Sequence, residues 1–497
     1  MKTLNRGVLQ EAERRQLDAA LSSPVKILQI GEGNFLRGFA DWMVQVCRNR
    51  GLFDGSVAVT QPRPSGRGNI VKLAAQEGIY TLVTRGLENG APVERKEIVS
   101  VFSEVFDPYS EWERLVSIAL SADLRFVISN TTEAGLAYVP EPLTGGPIAS
   151  FPGKIAYLLH RRFTAREGAS GGGLIFLPCE LLERNGDALR DAVLRYASDW
   201  GFGEAFETWV VEHNRFLNSL VDRIVTGYPD EAQAEAWFAE WGYRDAMLNT
   251  AEPYHLWAIE GEPELDALLP FRQAGLNVVW TDDLTPYQRR KVRILNGAHT
   301  WMAPLGLLHG VEHVRELLEH AELGPKVRET VFGEIVPTLP DSRQEMEAYA
   351  ATVFERFGNP YIRHRLADIA MNSLSKFRTR LLPTFASYAE RGEAIPARLA
   401  LGLSGLLRYY RVERDESGRY SGVTLRGERY AVRDDAASLD RIAGVWEEAG
   451  RSGETIAWAV RKLLSDERLW GRELSAWNGL AEAVAEQLAE WERGAGK

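Results

Sequence analysis

The stretch "VKILQIGEGNFLRGFADWMV" constrains this chain more than any other: an apolar run over 25–30, a turn on Gly31 and Gly33, then a helical pattern. A continuous apolar run is the signature of a strand covered on both faces, and such strands build parallel sheets. Comparable runs follow at "VAVTQ" (57–61), "LRFVISN" (124–130), "GLIFLPC" (173–179) and "LNVVWTDD" (276–283), with helical patterns between them. The alternation predicts an α/β fold with a mainly parallel, doubly wound sheet. One segment departs from it: "YTLVTRGLENGAPVERKEIVSVF" reads as a hairpin inserted on the sheet, turning at Asn89-Gly90.

From Thr285 onward strand signals nearly vanish, and "ETIAWAVRKLLSD" and "GLAEAVAEQLAEWER" are helical by spacing. The break "GRYSGVTLRGERY" reads as a hairpin or loop. Thr285 is assigned as N-cap, Pro286 as the first helical residue and Gln288 as the capping-box partner. A chain of 497 residues exceeds one hydrophobic core. It reads as a Rossmann-type N-terminal domain with insertions over 1–284 and a mostly helical C-terminal domain over 285–497. Residues near the junction are expected to face a cleft between the domains.

Bulk properties remove several classes of function. A net charge of −11 argues against nucleic acid or an anionic membrane as partner, while leaving room for a small anion held by local cations. Two cysteines, Cys47 and Cys179, make neither a disulfide framework nor a cysteine-rich metal site. The opening residues lack an apolar signal core and no apolar run reaches spanning length, so a cytoplasmic location is expected. Nothing in the sequence decides between a monomer and a small homo-oligomer.

The glycine turn follows the first strand, where Ile30, Gly31, Gly33, Asn34, Phe35 and Arg37 would surround the pyrophosphate of a dinucleotide. Its spacing is G-x-G-x-x-x-x-G, with Gly38 late, and the spacing alone serves a plain strand-to-helix link equally well. The second strand ends without the usual ribose-binding carboxylate. Gln61, Arg63 and Arg67 stand there instead, which keeps NADP open as an alternative to NAD, beside the reading of a solvated basic loop. After the strand at 124–130, Asn130, Thr131 and Glu133 would reach the nicotinamide half. The same residues also make an N-capping turn, and the two roles are compatible.

In "RRKVRILNGAHTWM", Lys291, Asn296 and His299 sit in an apolar helical pattern. At ~100° per residue, Asn296 and His299 fall about 140° and 80° from Lys291, on one side of a helix. A partly desolvated lysine exchanges a proton with a hydroxyl near neutral pH. An amide can donate to a developing alkoxide, and an imidazole can orient the oxygen. Gly297 and Ala298 leave room for a ligand. Viewed without context, a surface lysine, a capping asparagine and a core histidine are the better reading; an upstream dinucleotide turn reverses the balance in favour of chemistry.

"KVRILNGAHT" resembles the K-x-x-x-x-N-x-x-H signature of the long-chain polyol-specific dehydrogenases, the mannitol dehydrogenase family. "IGEGNFLRGF", "NRFLNSLVDRI" (214–224) and "ERFGNPYIRHRLADI" (355–369) resemble three further family segments, in order, over about residues 25 to 480. The resemblance implies a Rossmann-type domain, a helical second domain and metal-free hydride transfer with NAD. It makes Lys291 the acid/base, Asn296 and His299 the groups that position and polarise the oxygen, and Asp222 and Lys376 substrate ligands.

The mannitol enzymes carry a second asparagine donor where this chain has Leu181 in "LPCELLERNGDALR"; Asn185 is the nearby candidate to replace it. That form, with "SNTTEAG", "FPGKIAYLLHRRF" and "SKFRTRLLP", resembles the hexuronate-reducing branch of the family. A sugar-acid carboxylate needs cations, and Lys376, Arg378 and Arg380 cluster where the polyol enzymes are less basic, though alone they also read as a solvated helix end. The expected partner is therefore a small sugar-acid substrate. Sister activities on another hexuronate, mannitol or mannitol phosphate are the nearest alternatives. A non-catalytic dinucleotide sensor would not need Lys291, and a helical scaffold would not need the glycine turn.

Overall fold

The computed structural model describes residues 1–168 and 172–495. The chain divides into two compact units, Met1–Leu284 and Thr285–Lys497. In the first, one sheet holds β1 (Val25–Ile30), β2 (Ser56–Thr60), β3 (Phe102–Val105), β4 (Phe126–Ser129), β5 (Ile175–Pro178) and β6 (Arg215–Phe216). Their order is β3-β2-β1-β4-β5-β6 and every neighbouring pair is parallel. This is the doubly wound order whose connections reverse beside β1, where a ligand crevice opens at the strand ends. Both faces are covered, which is why the strands read as unbroken apolar runs. Ile27 packs with Phe39, Met43 and Val44 on one side, and Leu28 and Ile30 pack with Leu115 and Ile155 on the other.

The hairpin is present but does not sit on the main sheet. Tyr80–Glu88 pairs with Ala91–Val99 in antiparallel register, with Glu88 opposite Ala91, in a separate four-stranded sheet completed by Asn249–Ala251 and Val225–Gly227. Asn89 and Gly90 take φ of 52° and 75°, the conformation a two-residue type I′ turn demands. The run at 276–283 does not join the main sheet. Val278–Thr281 lies parallel to Leu256–Glu260, which pairs antiparallel with Ser219–Asp222 in a separate three-stranded sheet. Arg215–Phe216 takes the main sheet's edge instead. Apolar pattern reports covered faces, and Val278 and Trp280 are covered by the cluster of Trp257 and Phe271.

The second unit is mostly helical, with one small antiparallel sheet over Glu413–Arg414, Tyr420–Val423 and Arg429–Val432. Thr285 is the first residue of its helix rather than the cap before it. The helix Gly297–Leu308 packs on Ala397–Tyr409, and a Cβ at Gly402 would come within 2.2 Å of Trp301, so only glycine permits that approach. Among the described residues no helix is long and apolar enough to cross a membrane.

Candidate active site

In the first unit a cavity of about 550 Å3 opens where β1, β2 and β4 end, a size that suits a small organic ligand. Gly33, Asn34 and Phe35 from the glycine turn line it, with Arg63, Ser65 and Asn69 after β2 and Asn130, Thr131 and Thr132 after β4. Gly31 holds φ of 135°, and a Cβ there would lie 2.8 Å from the Asn130 carbonyl oxygen. The two loops close up only because residue 31 has no side chain.

The expected cofactor residues fall into two groups. Gly33, Asn34, Phe35, Asn130 and Thr131 reach the cavity. Ile30 is a wholly buried strand end, holding the Asn130 N–H on its carbonyl at 3.2 Å. Arg37 is buried behind the turn. Its guanidinium donates to the carbonyls of Glu32 and Met247 and to Asn34 Oδ1, so it orders the turn and does not line the cavity. Gln61 is also buried, its amide donating to Asp107 Oδ1 at 2.7 Å, and lies outside the cavity wall. Glu133 begins a short 3-10 turn capped by Thr132 and is exposed, off the wall.

Two groups without an assigned role in the sequence shape this wall. Glu180 is buried, and it receives the Thr131 N–H, the Thr131 hydroxyl and the Ser129 hydroxyl. Burial pushes its carboxyl above the usual range, against those donors. Glu32, between the two glycines, lines the cavity with Arg63 and Asn69. The signal for Glu32 is its place in G-E-G; for Glu180 it is the match of Cys179-Glu180 in "LPCELL" to the family's S-C-D-N segment, which carries no role by itself.

Asn185 does not face a ligand. Its amide donates to the carbonyls of Pro178, Glu180 and Ser219 at 3.0, 3.0 and 3.1 Å, and its oxygen receives the Ser219 N–H at 2.9 Å. A side chain so occupied cannot also supply a donor in place of the one missing at Leu181. Asp222 ends the strand Ser219–Asp222 and is buried. Its neighbour Arg223 is locked by the carbonyls of Glu252 and Gly38.

In the second unit the lysine helix is not one regular α-helix. Thr285–Arg290 is α-helical, Lys291–Asn296 is a π-helical turn, and Gly297–Leu308 is α-helical again. A π-turn bonds residue i to i+5. Lys291 and Asn296 are five apart, so the wide turn brings them closer to one line than the 140° of a regular α-helix. Asn296 and His299 are three apart, across the junction into the α-helix, where such pairs are neighbours. Lys291 and Asn296 are half-buried and His299 is buried. Gly297 is also buried, facing Leu381 and the Arg380 backbone, so it serves helix packing and not ligand space.

His299 stands 4.5 Å from the Phe357 ring and 4.7 Å from the His364 ring, and its Nε2 is buried without a hydrogen-bond partner. Burial, then His364, Arg356, Arg380 and Lys376, hold its imidazole well below the ordinary range, so it is neutral. Lys376 and Arg380 share a helix face four residues apart on Ser373–Arg380; Lys376 donates to the Ile369 carbonyl at 2.8 Å and Arg380 to Thr300 Oγ1 at 3.3 Å. Arg378 departs from the expected cluster: it is exposed and its guanidinium lies beside Gly471. Arg356 adds a further positive charge near His299, and His364, whose imidazole burial holds below the ordinary range, stands beside it as a second ring. Both come from the segment that resembles the family without an assigned role.

Family models for the mannitol dehydrogenase Rossmann domain and the mannitol dehydrogenase C-terminal domain match residues 25–271 and 283–492. An altronate oxidoreductase of Halalkalibacterium halodurans is 42% identical over 94% of this chain and 90% of its own length. One from Bacillus subtilis is 41% identical over 97% and 95%. Two solved structures share the fold. They are a D-sorbitol dehydrogenase (TM-score 0.74, 21% identity, 96% of this chain and 95% of that one) and a Pseudomonas fluorescens mannitol 2-dehydrogenase complexed with NAD and D-mannitol (TM-score 0.66, 22% identity, 96% and 94%). With both family domains matched in order and relatives above 40% identity across nearly its whole length, the chain belongs to the mannitol dehydrogenase family and is an oxidoreductase acting on CH–OH groups.

Proposed function

We propose that the protein interconverts tagaturonate and altronate with NAD as hydride carrier, acting as a tagaturonate reductase (altronate dehydrogenase). The observation that carries the substrate class is the pair Lys376 and Arg380, four residues apart on one helix face, whose charges act on the buried, neutral His299. Cations gathered at a water-poor site are costly without an anion, and the carboxylate of a sugar acid supplies one. The altronate oxidoreductase relatives point the same way.

The residues of the first unit fit a dinucleotide. The cavity lies at the ends of β1, β2 and β4, with a glycine turn on one side and the Thr131 turn on the other. When bound, NADH supplies the hydride that converts the ketone carbon to a secondary alcohol.

The chain's own groups do the rest. Lys291, as its ammonium, gives a proton to the carbonyl oxygen, and as its neutral amine takes one back in the oxidation. Asn296 donates its amide to the oxygen as negative charge grows there. His299 has an Nε2 with no hydrogen-bond partner among the described residues, and as a neutral ring it positions the oxygen without competing for the proton. Asp222, Lys376 and Arg380 hold the substrate, the two cations through its carboxylate.

The test is NADH oxidation at 340 nm with tagaturonate, fructuronate and fructose side by side, repeated with NADPH. Turnover on tagaturonate far above the other two is expected. Preference for fructuronate or fructose would keep the lysine chemistry and remove the substrate assignment. Silence on all three would leave a dinucleotide-binding protein without this activity.

A further inference from the structure

We infer that Glu32 takes the ribose hydroxyls of the adenosine half and sets a preference for NAD over NADP; this rests on the dinucleotide reading above. In a sheet of this order the hydroxyl acceptor is ordinarily an acidic residue at the end of the second strand. Here β2 runs into Thr60, Gln61 and Pro62. Gln61 points inward to Asp107, whose oxygens also receive the Tyr109 N–H at 2.9 Å and face Arg67 at 3.6 Å. Neither Gln61 nor Asp107 reaches the cavity.

Glu32 fills that role from the opposite loop. It is 7% exposed, and its carboxylate crosses to the loop after β2, where Oε1 is 3.4 Å from Asn69 Nδ2. A Cβ at Gly66 would sit 2.6 Å from the same oxygen, so the loop carries glycine where the carboxylate lies. Arg63, Ser65, Gly66 and Asn69 share the cavity wall with it. A carboxylate accepts at about four positions, and the Asn69 contact is long, so acceptor capacity is left for two O–H donors. The ribose diol offers exactly two vicinal hydroxyls; a 2′-phosphate offers negative charge instead, against a carboxylate already short of water. Arg63 is the cation present on that wall, and Arg67 is turned to Asp107.

The experiment titrates the full-length protein with NADH and with NADPH by quenching of tryptophan fluorescence, without substrate. Wild type is expected to bind NADH at least ~10-fold more tightly than NADPH. Glu32→Gln is expected to weaken NADH by about 10-fold and bring the two affinities within a few-fold of each other. An unchanged ratio in Glu32→Gln overturns the inference. As a measurement that needs no variant, wild type is titrated with AMP and with adenosine 2′,5′-bisphosphate, which differ only in the 2′-phosphate. Tighter binding of AMP supports the role of Glu32, and equal or tighter binding of the bisphosphate overturns it. Wild type that binds neither dinucleotide overturns the dinucleotide reading itself.

Discussion

Thr131 donates both its backbone N–H and its hydroxyl to Oε1 of Glu180, at 2.9 and 3.1 Å, so a single buried carboxylate from the loop after β5 holds the turn after β4. Glu180→Ala strands a backbone donor and is expected to cost about 2 kcal/mol of stability. Glu180→Gln keeps one acceptor oxygen and should cost less. Urea denaturation reads both, and an alanine variant as stable as wild type would show that the carboxylate is not what orders the turn.

Lys291→Ala is expected to lower turnover by about 10³-fold, within the usual range for a general acid. Asn296→Ala should lower it by about 10²-fold, the scale of one lost donor to an oxyanion. In both, NADH titration should give affinities near wild type. Near-normal turnover in Lys291→Ala would remove the acid/base assignment.

Lys376→Met and Arg380→Met test the carboxylate contact. Each is expected to reduce kcat/KM for a hexuronate by about 10–100-fold, the value of one charged hydrogen bond. Activity on an uncharged ketose, however low, should fall far less. Equal losses on both substrates would mean that the cations support the helix packing and not the carboxylate.

Asn185→Ala separates structure from chemistry. Its amide ties together the backbones at Pro178, Glu180 and Ser219, so the variant is expected to lose about 2 kcal/mol of stability. The kinetic constants of the folded fraction should stay near wild type. A selective fall in kcat with unchanged stability would return Asn185 to the list of substrate donors.

A fifth expectation concerns pH. The His255 imidazole is lowered to about 4, first by burial and then by Arg223, while its Nε2 accepts the Asn277 N–H at 3.0 Å. A depressed histidine is neutral in the fold and takes a proton more readily once unfolded. Its stabilisation is therefore present at neutral pH and declines as pH falls from the ordinary ~6.5 towards 4, by up to about 3 kcal/mol. Denaturation curves of wild type and His255→Gln at several pH values should converge at the acid end. Parallel curves would refute the assignment to His255.

Much of this molecule is written in short stretches of sequence. The runs at Val25–Ile30 and Phe126–Ser129, the Asn89-Gly90 turn and the helices after Thr285 are decided locally, by burial on both faces, by φ > 0 at two consecutive residues and by helical spacing. Gly31 was legible for the same reason, since the tight turn after a strand admits no Cβ. What the sequence could not decide is which segments meet. Gln61 and Arg37 have the right chemistry at the right positions, yet both point into the protein interior because Asp107 and the Met247 carbonyl, far off in sequence, satisfy them there. The π-turn at Lys291–Asn296 and the joining of Arg356, His364, Lys376 and Arg380 around His299 are likewise products of packing. Local pattern sets the face a residue occupies, whereas the partner on that face comes from another part of the chain, so only the tertiary structure decided which polar groups were left for a ligand.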